Sequence, residues 1–183
     1  MPQSIDSLIQ HFLTTGKPSP SIETKSLNVL SIFIAPEVLN AGILPALAKG
    51  YVFSASIIPL IEKNAFWIKR HDLGITICSE ESDALLLHAL EIHNKNQHLP
   101  LSFGLSSGNG LVVENGEWIS VARMQAERMA TLGSHGYITA SMPFIESLGE
   151  LPDGIGAFPL NKSVQSLIGF SCVLIRDFRQ PNR

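Results

Sequence analysis

Apolar residues at positions 5, 8, 9, 12 and 13 (Ile5, Leu8, Ile9, Phe12, Leu13) recur at helical spacing, with Asp6 and Ser7 near the start, and predict a short amphipathic helix. The Gly16-Lys17-Pro18-Ser19-Pro20-Ser21 stretch that follows punctuates rather than folds, so residues 1–25 read as an appended segment placed to contact a partner. Residues 27–35, LNVLSIFIA, are β-branched and almost continuously apolar, the pattern of a central strand buried on both faces, and Pro36 ends the run. A helical region extends from there to about Asn64, and Pro45, Gly50 and Pro59 predict breaks in it.

Residues 65–78 predict two strands joined at Asp72-Leu73-Gly74. Ser79 reads as an N-cap, with Glu80, Glu81 and Asp83 where a helix dipole favours acids, and the helix ends in the polar NKNQH stretch. Residues 99–108 give the next strand, Gly108-Asn109-Gly110 a turn, and GLVVE another strand. A helix over 118–132 follows, then Gly133-Ser134-His135-Gly136, the strand YITAS, and a terminal strand LIGFSCVLI between Ser166 and Asp177. This order implies an α+β fold: a ferredoxin-like βαββαβ core with extra C-terminal β elements, its antiparallel-rich sheet covered by helices. The folded domain spans residues 26–178 and residues 179–183 form a tail.

Composition narrows the function classes. A chain of 183 residues with 45% hydrophobic and 16% charged positions has apolar surface enough for one continuous core. A net charge of -3 with no basic patch argues against a nucleic-acid partner, which requires cations to displace counterions. Apolar stretches such as 52–61, interrupted by Pro59, fall short of the roughly 20 residues of a membrane span, so no membrane association is expected. The opening MPQSIDSLIQ lacks the basic start and apolar core of a secretory signal, and a cytoplasmic location is expected. Cys78 and Cys172 lie inside apolar runs and read as small buried hydrophobes. His88, His93 and His98 recur every five residues, which scatters them around a helix instead of aligning them as metal ligands. Gly104, Gly108 and Gly110 near Ser106 and Ser107 lack the spacing of a phosphate loop, and Ser134 beside His135 on a turn has no orienting acid.

Several ordered motifs carry a family resemblance. SFGLSSGNGLVV stands where class III adenylyl and guanylyl cyclases have "IGIHTGEVV", WISVARMQAERMA where they have "G.AVN.AARL", and GYITAS where they have "G.ILVS". ELPDGIGAFPL is similar to the "LPDG...L" stretch of bacterial members, Ser31 to Pro36 falls where "LFADI" belongs, and Asp72 falls on the "GDG" hairpin. The chain thus resembles a class III nucleotidyl cyclase catalytic domain over about residues 27–177.

The resemblance implies a site between two protomers in which a nucleoside triphosphate's 3′-hydroxyl attacks its α-phosphorus with two metal ions, Mg or Mn. It assigns Asp72 to the metals, Arg128 to the transition-state phosphate, and, depending on register, Lys69 (or Ile68) and Glu117 to base recognition. Other positions depart from the pattern. Ala35 stands where the second metal carboxylate belongs, Met124 where an Asn orients the ribose, and Gln165 where a Lys binds phosphate. The expectation is a degenerate cyclase module, needing no cofactor, that forms a homodimer or pairs with another cyclase-like domain and can still bind ATP or GTP. Two alternatives stand beside it: an active cyclase completed by another carboxylate such as Glu37, and an unrelated ferredoxin-like sensor domain.

Overall fold

The computed structural model describes residues 4–19, 22–63, 65–113, 116–133 and 135–179. Helix α1, Ile5–Thr15, forms as its apolar spacing predicts: Ser4 caps it by accepting from the Ser7 amide, and Gly16 at φ 67 closes it. Strand β1, Glu23–Ile34, begins within the segment that composition sets apart. A 3₁₀ turn, Pro36–Ala41, leads to α2, Ile43–Ile61. Then come β2, Trp67–His71, β3, Gly74–Ser79, and α3, Ser82–Lys95. The second half comprises β4, Leu101–Val112, β5, Trp118–Ser120, α4, Val121–Leu132, and β6, Ile138–Ser141. It closes with α5, Met142–Leu148, β7, Ile155–Pro159, α6, Lys162–Ile168, and β8, Cys172–Asp177.

The described strands form one eight-stranded sheet in the order β2-β3-β1-β4-β6-β8-β7, with β5 paired to β4. Its first four strands are antiparallel and have the order of a ferredoxin-like βαββαβ unit. Beyond them β6 joins β4 in parallel, and β8 and β7 extend the sheet in antiparallel fashion. Strand β1 is buried on both faces. Leu30, Ile32 and Ile34 face the main core beneath α2, α3 and α5, while Leu27 and Val29 face a second cluster with Trp118, Ala122 and Ala126 of the β5–α4 side.

Five local expectations are corrected, the first being that residues 118–120 of the helix expected over 118–132 form β5, so that α4 begins at Val121. The region after Pro36 contains a single unbroken α2: Pro45 falls in its first turn, where amides have no acceptor in the helix, and Pro59 lies inside the helix two residues before its end without interrupting it. Gly50 marks a close approach: a Cβ there would sit 2.2 Å from the Asp72 carbonyl oxygen. As an unbroken helix α2 is long and apolar enough, by length and composition, to cross a membrane, yet Phe53, Ile57 and Ile61 along it are packed on the sheet. Gly108-Asn109-Gly110 is not a turn but the middle of the continuous β4. The glycines admit what lies above the strand: a Cβ would meet Ala126 O at 2.1 Å from Gly104 and the Trp118 ring at 2.5 Å from Gly110. Residues 166–168 end α6 rather than begin the terminal strand, which starts at Cys172. Helix α3 is capped at Glu81, and Ser79 instead ends β3 while accepting from the Glu81 amide at 3.1 Å.

Both cysteines are free and buried. Burial pushes the Cys78 thiol up to about 12, and raises that of Cys172 as well, which leaves both as unreactive packing groups at neutral pH.

Candidate functional site

The face of the sheet beneath α4 is the polar one. On β4 the residues directed at α4 are small, so the helix lies almost on the strand backbone, and its side chains reach sideways over β1, β3 and β2. Ser120 caps α4 by accepting from the Arg123 amide at 3.1 Å. The Arg123 side chain folds back to donate to Glu117 Oε1 at 2.8 Å and to the Trp118 carbonyl at 3.0 Å. It also lies 3.5 Å from Glu127 Oε1 and stacks over the Trp67 ring at 5.0 Å.

From Glu127 the network continues into the sheet. Thr76 donates to Glu127 Oε1 at 3.4 Å, shares a 3.0 Å hydrogen bond with Ser31 inside the sheet, and meets His71 Nε2 at 2.9 Å. His71 Nε2 lies 3.7 Å from Glu127 Oε1. Lys69 sits on the same side of β2, two residues before His71 and opposite Thr76 in the strand register. Burial holds the His71 pKa below its usual value; Glu127 opposes that shift, and Lys69 and Arg123 reinforce it.

This lowered pKa fixes a sign for the pH dependence. The folded state takes up the His71 proton less readily than the unfolded chain, so this contribution is present above the ordinary histidine value of 6.5 and is lost as pH falls from there toward the folded value. Urea unfolding between pH 7.5 and 5.5 should show stability falling with acid, and His71→Gln should flatten the slope. An unchanged slope in the variant would remove His71 from that role.

The four residues singled out from the sequence divide. Lys69 and Glu117 belong to the α4 face, where Glu117 is bound by Arg123. Asp72 is exposed at the β2–β3 tip. The adjacent Leu73 carbonyl accepts from the Ile34 amide at 2.7 Å, which brings the tip beside Ala35 as the motif order implies. Arg128 lies apart: Nε donates to the Ile168 carbonyl at 2.6 Å and its terminal amino group to the Leu167 carbonyl at 2.7 Å, so it caps the C-terminal end of α6. Met124 is 61% exposed on α4, and Gln165 is a half-buried neutral side chain on α6.

The residues at the hairpin tip do not fit a two-metal centre. Ala35 is buried and offers no ligand atom. Glu37 is turned to His135, Oε2 to Nε2 at 3.3 Å, and His135 Nδ1 meets Ser102 Oγ at 3.0 Å. Among the described residues no three His, Cys, Asp or Glu side chains gather as a metal-binding group. Ser134 lies outside the described residues. His71, Arg123 and Glu127 carry no sequence motif; the only signal for them is periodicity, His71 at i+2 from Lys69 on a strand and Glu127 at i+4 from Arg123 on a helix.

No family model matches the sequence, and no curated protein sequence matches it. Solved structures do. The guanylyl cyclase domain of the RhoGC fusion protein from the aquatic fungus Blastocladiella emersonii, as a monomeric double mutant, superposes with a TM-score of 0.64. That match covers 85% of this chain and 97% of that one at 14% identity. The fold is that of the class III nucleotidyl cyclase catalytic domains. An adenylate/guanylate cyclase/hydrolase from Silicibacter pomeroyi aligns at TM-score 0.65 and 16% identity over 85% of this chain and 96% of that one. The guanylate cyclase domain of RhGC from Catenaria anguillulae, in complex with GTP, aligns at 0.60 and 14% over 84% and 96%. The cyclase-like fold therefore holds across nearly the whole of each of these domains.

Proposed function

We propose that this chain is a catalytically degenerate cyclase homology module, a dimerising regulatory partner rather than an enzyme. The observation that carries the reading is the end of β1 beside the β2–β3 tip, where the Ile34 amide donates to the Leu73 carbonyl and Ala35 follows: where the cyclase reaction needs two carboxylates to hold two metals, Asp72 is the one carboxylate. The charges on the α4 face support it, because Glu117 and Glu127 are both engaged by Arg123 and leave no acid free for a cation. Arg128 gives its donors to the carbonyls of α6, and Met124 and Gln165 supply no charge for a triphosphate. Retained ATP or GTP binding would rest on Lys69 and the neighbouring network. The outward side of α4 supports a partner there, since Val121 and Met124, three residues apart, are 63% and 61% exposed.

The test is cyclic nucleotide formation from ATP and from GTP with Mn²⁺, with Arg128→Ala measured beside the parent protein. No product is expected from either protein, and Arg128→Ala should lower stability by about 1 kcal/mol through the loss of the α6 cap. In sedimentation the parent should self-associate and Met124→Glu should shift it toward monomer. Product formation that disappears in Arg128→Ala would overturn the reading.

A further inference from the structure

On the opposite side of the molecule from α4, helix α2 and the connection between α3 and β4 border an open groove of about 360 Å³. Val52, Phe53 and Leu99 give it an apolar wall, and Lys49, Asn96 and His98 stand at its polar side. Phe53 is 3% exposed and belongs to the main core, and Leu99 of the connection packs against that core, so these two fix the floor of the groove, while Val52 forms its outer edge, 66% exposed. Asn96 is fixed by donating to the Ile92 carbonyl at 2.9 Å.

The charges around this groove have one sign. No acid lines it. Among the described residues neither Lys49 nor His98 is in an ion pair. A cationic ligand would meet Lys49 without a counter-charge, and a wholly apolar one would leave the donors of Lys49 and His98 without a partner in the ligand. A nucleoside triphosphate is too large and too highly charged for one lysine and an apolar wall. At about 30 Å³ per small group the groove admits roughly a dozen non-hydrogen atoms.

We propose that this groove binds a small amphipathic monocarboxylate, with its carboxylate on Lys49 and His98 and its apolar body against Val52, Phe53 and Leu99. Lys49 supplies the charge and His98 a ring N–H available in either protonation state. The site is remote from the α4 face and stands independently of the degenerate-cyclase reading.

The test is a titration of the isotope-labelled full chain with octanoate, below its micellar concentration, followed by amide chemical shifts, with 1-octanol as the uncharged control. Saturable shifts centred on Phe53, Asn96 and Leu99 are expected, with octanol about tenfold weaker. Lys49→Met should weaken octanoate about tenfold while leaving octanol unchanged, and because Lys49 is exposed the variant's spectrum should otherwise match the parent's. Shifts that fail to saturate would overturn the proposal. So would shifts spread over the exposed Ile43, Leu44 and Tyr51, or equal octanoate binding by Lys49→Met.

Discussion

Gly104→Ala should destabilise the protein by about 3–5 kcal/mol, at or beyond the upper end of what one added methyl costs in a packed interior. The new Cβ would lie 2.1 Å from the Ala126 carbonyl oxygen and 2.9 Å from the Ala130 amide nitrogen, both backbone atoms of α4 that no rotamer change can move aside. Helix α4 would have to lift from β4, carrying Arg123 and Glu127 away from Thr76 and His71. Gly108→Ala is the control on the same strand. Its Cβ meets only the Ala122 side chain at 3.2 Å, and a cost below about 1 kcal/mol is expected. Urea unfolding of the two variants decides: equal losses would mean that α4 is not held on the strand backbone as described.

Trp118→Ala should cost about 3–5 kcal/mol, or on the order of 10 °C in Tm for a chain of this size. Trp118 is fully buried, packs with Leu27, Val29, Val112, Ala122 and Ala126, and donates its indole N–H to the Lys25 carbonyl at 3.0 Å. Truncation leaves a void above Gly110 and removes the hydrogen bond to the Lys25 carbonyl on β1. Trp118→Phe keeps most of the volume and removes only the hydrogen bond, so it should recover more than half of the loss in the same thermal scan. If the phenylalanine variant were as unstable as the alanine one, packing would not be the main contribution of this ring.

Much of the fold was legible because it rests on strong periodicities. The apolar run 27–35 is a central strand, Asp72-Leu73 turns a hairpin, and residues 5–13 form an amphipathic helix. The misreadings of α2 and of the end of β4 share one cause: glycine and proline break chains locally, but here their role is tertiary. Gly50, Gly104 and Gly110 mark places where a backbone or a ring approaches closely, which no local pattern reveals. The candidate site was legible in part. Motif order places Ala35 and Asp72 next to Ile34 and Leu73, whose backbones are hydrogen-bonded at the ends of adjacent strands. The α4 network was not legible, because the hairpin pair His71 and Thr76 lies far in sequence from the helix pair Arg123 and Glu127, and the two meet only through a helix laid across a sheet. Arg128 matched its motif by position, but the direction of its side chain depends on α6, 40 residues on, where Ile168 accepts from it.

Strand β4 serves both halves of the molecule. It pairs along the whole of β1 on one side and carries β5 and β6 on the other. A fragment ending before Leu101 would contain β1 through α3 and expose one complete edge of β1, from Glu23 to Ile34, with apolar side chains on both faces of the strand. Such an edge is a template for intermolecular strand addition. The N-terminal half made by itself, or released by a ribosome stalled short of β4, would therefore aggregate rather than persist as a small folded unit, and the chain is one indivisible piece for purposes of truncation or domain fusion.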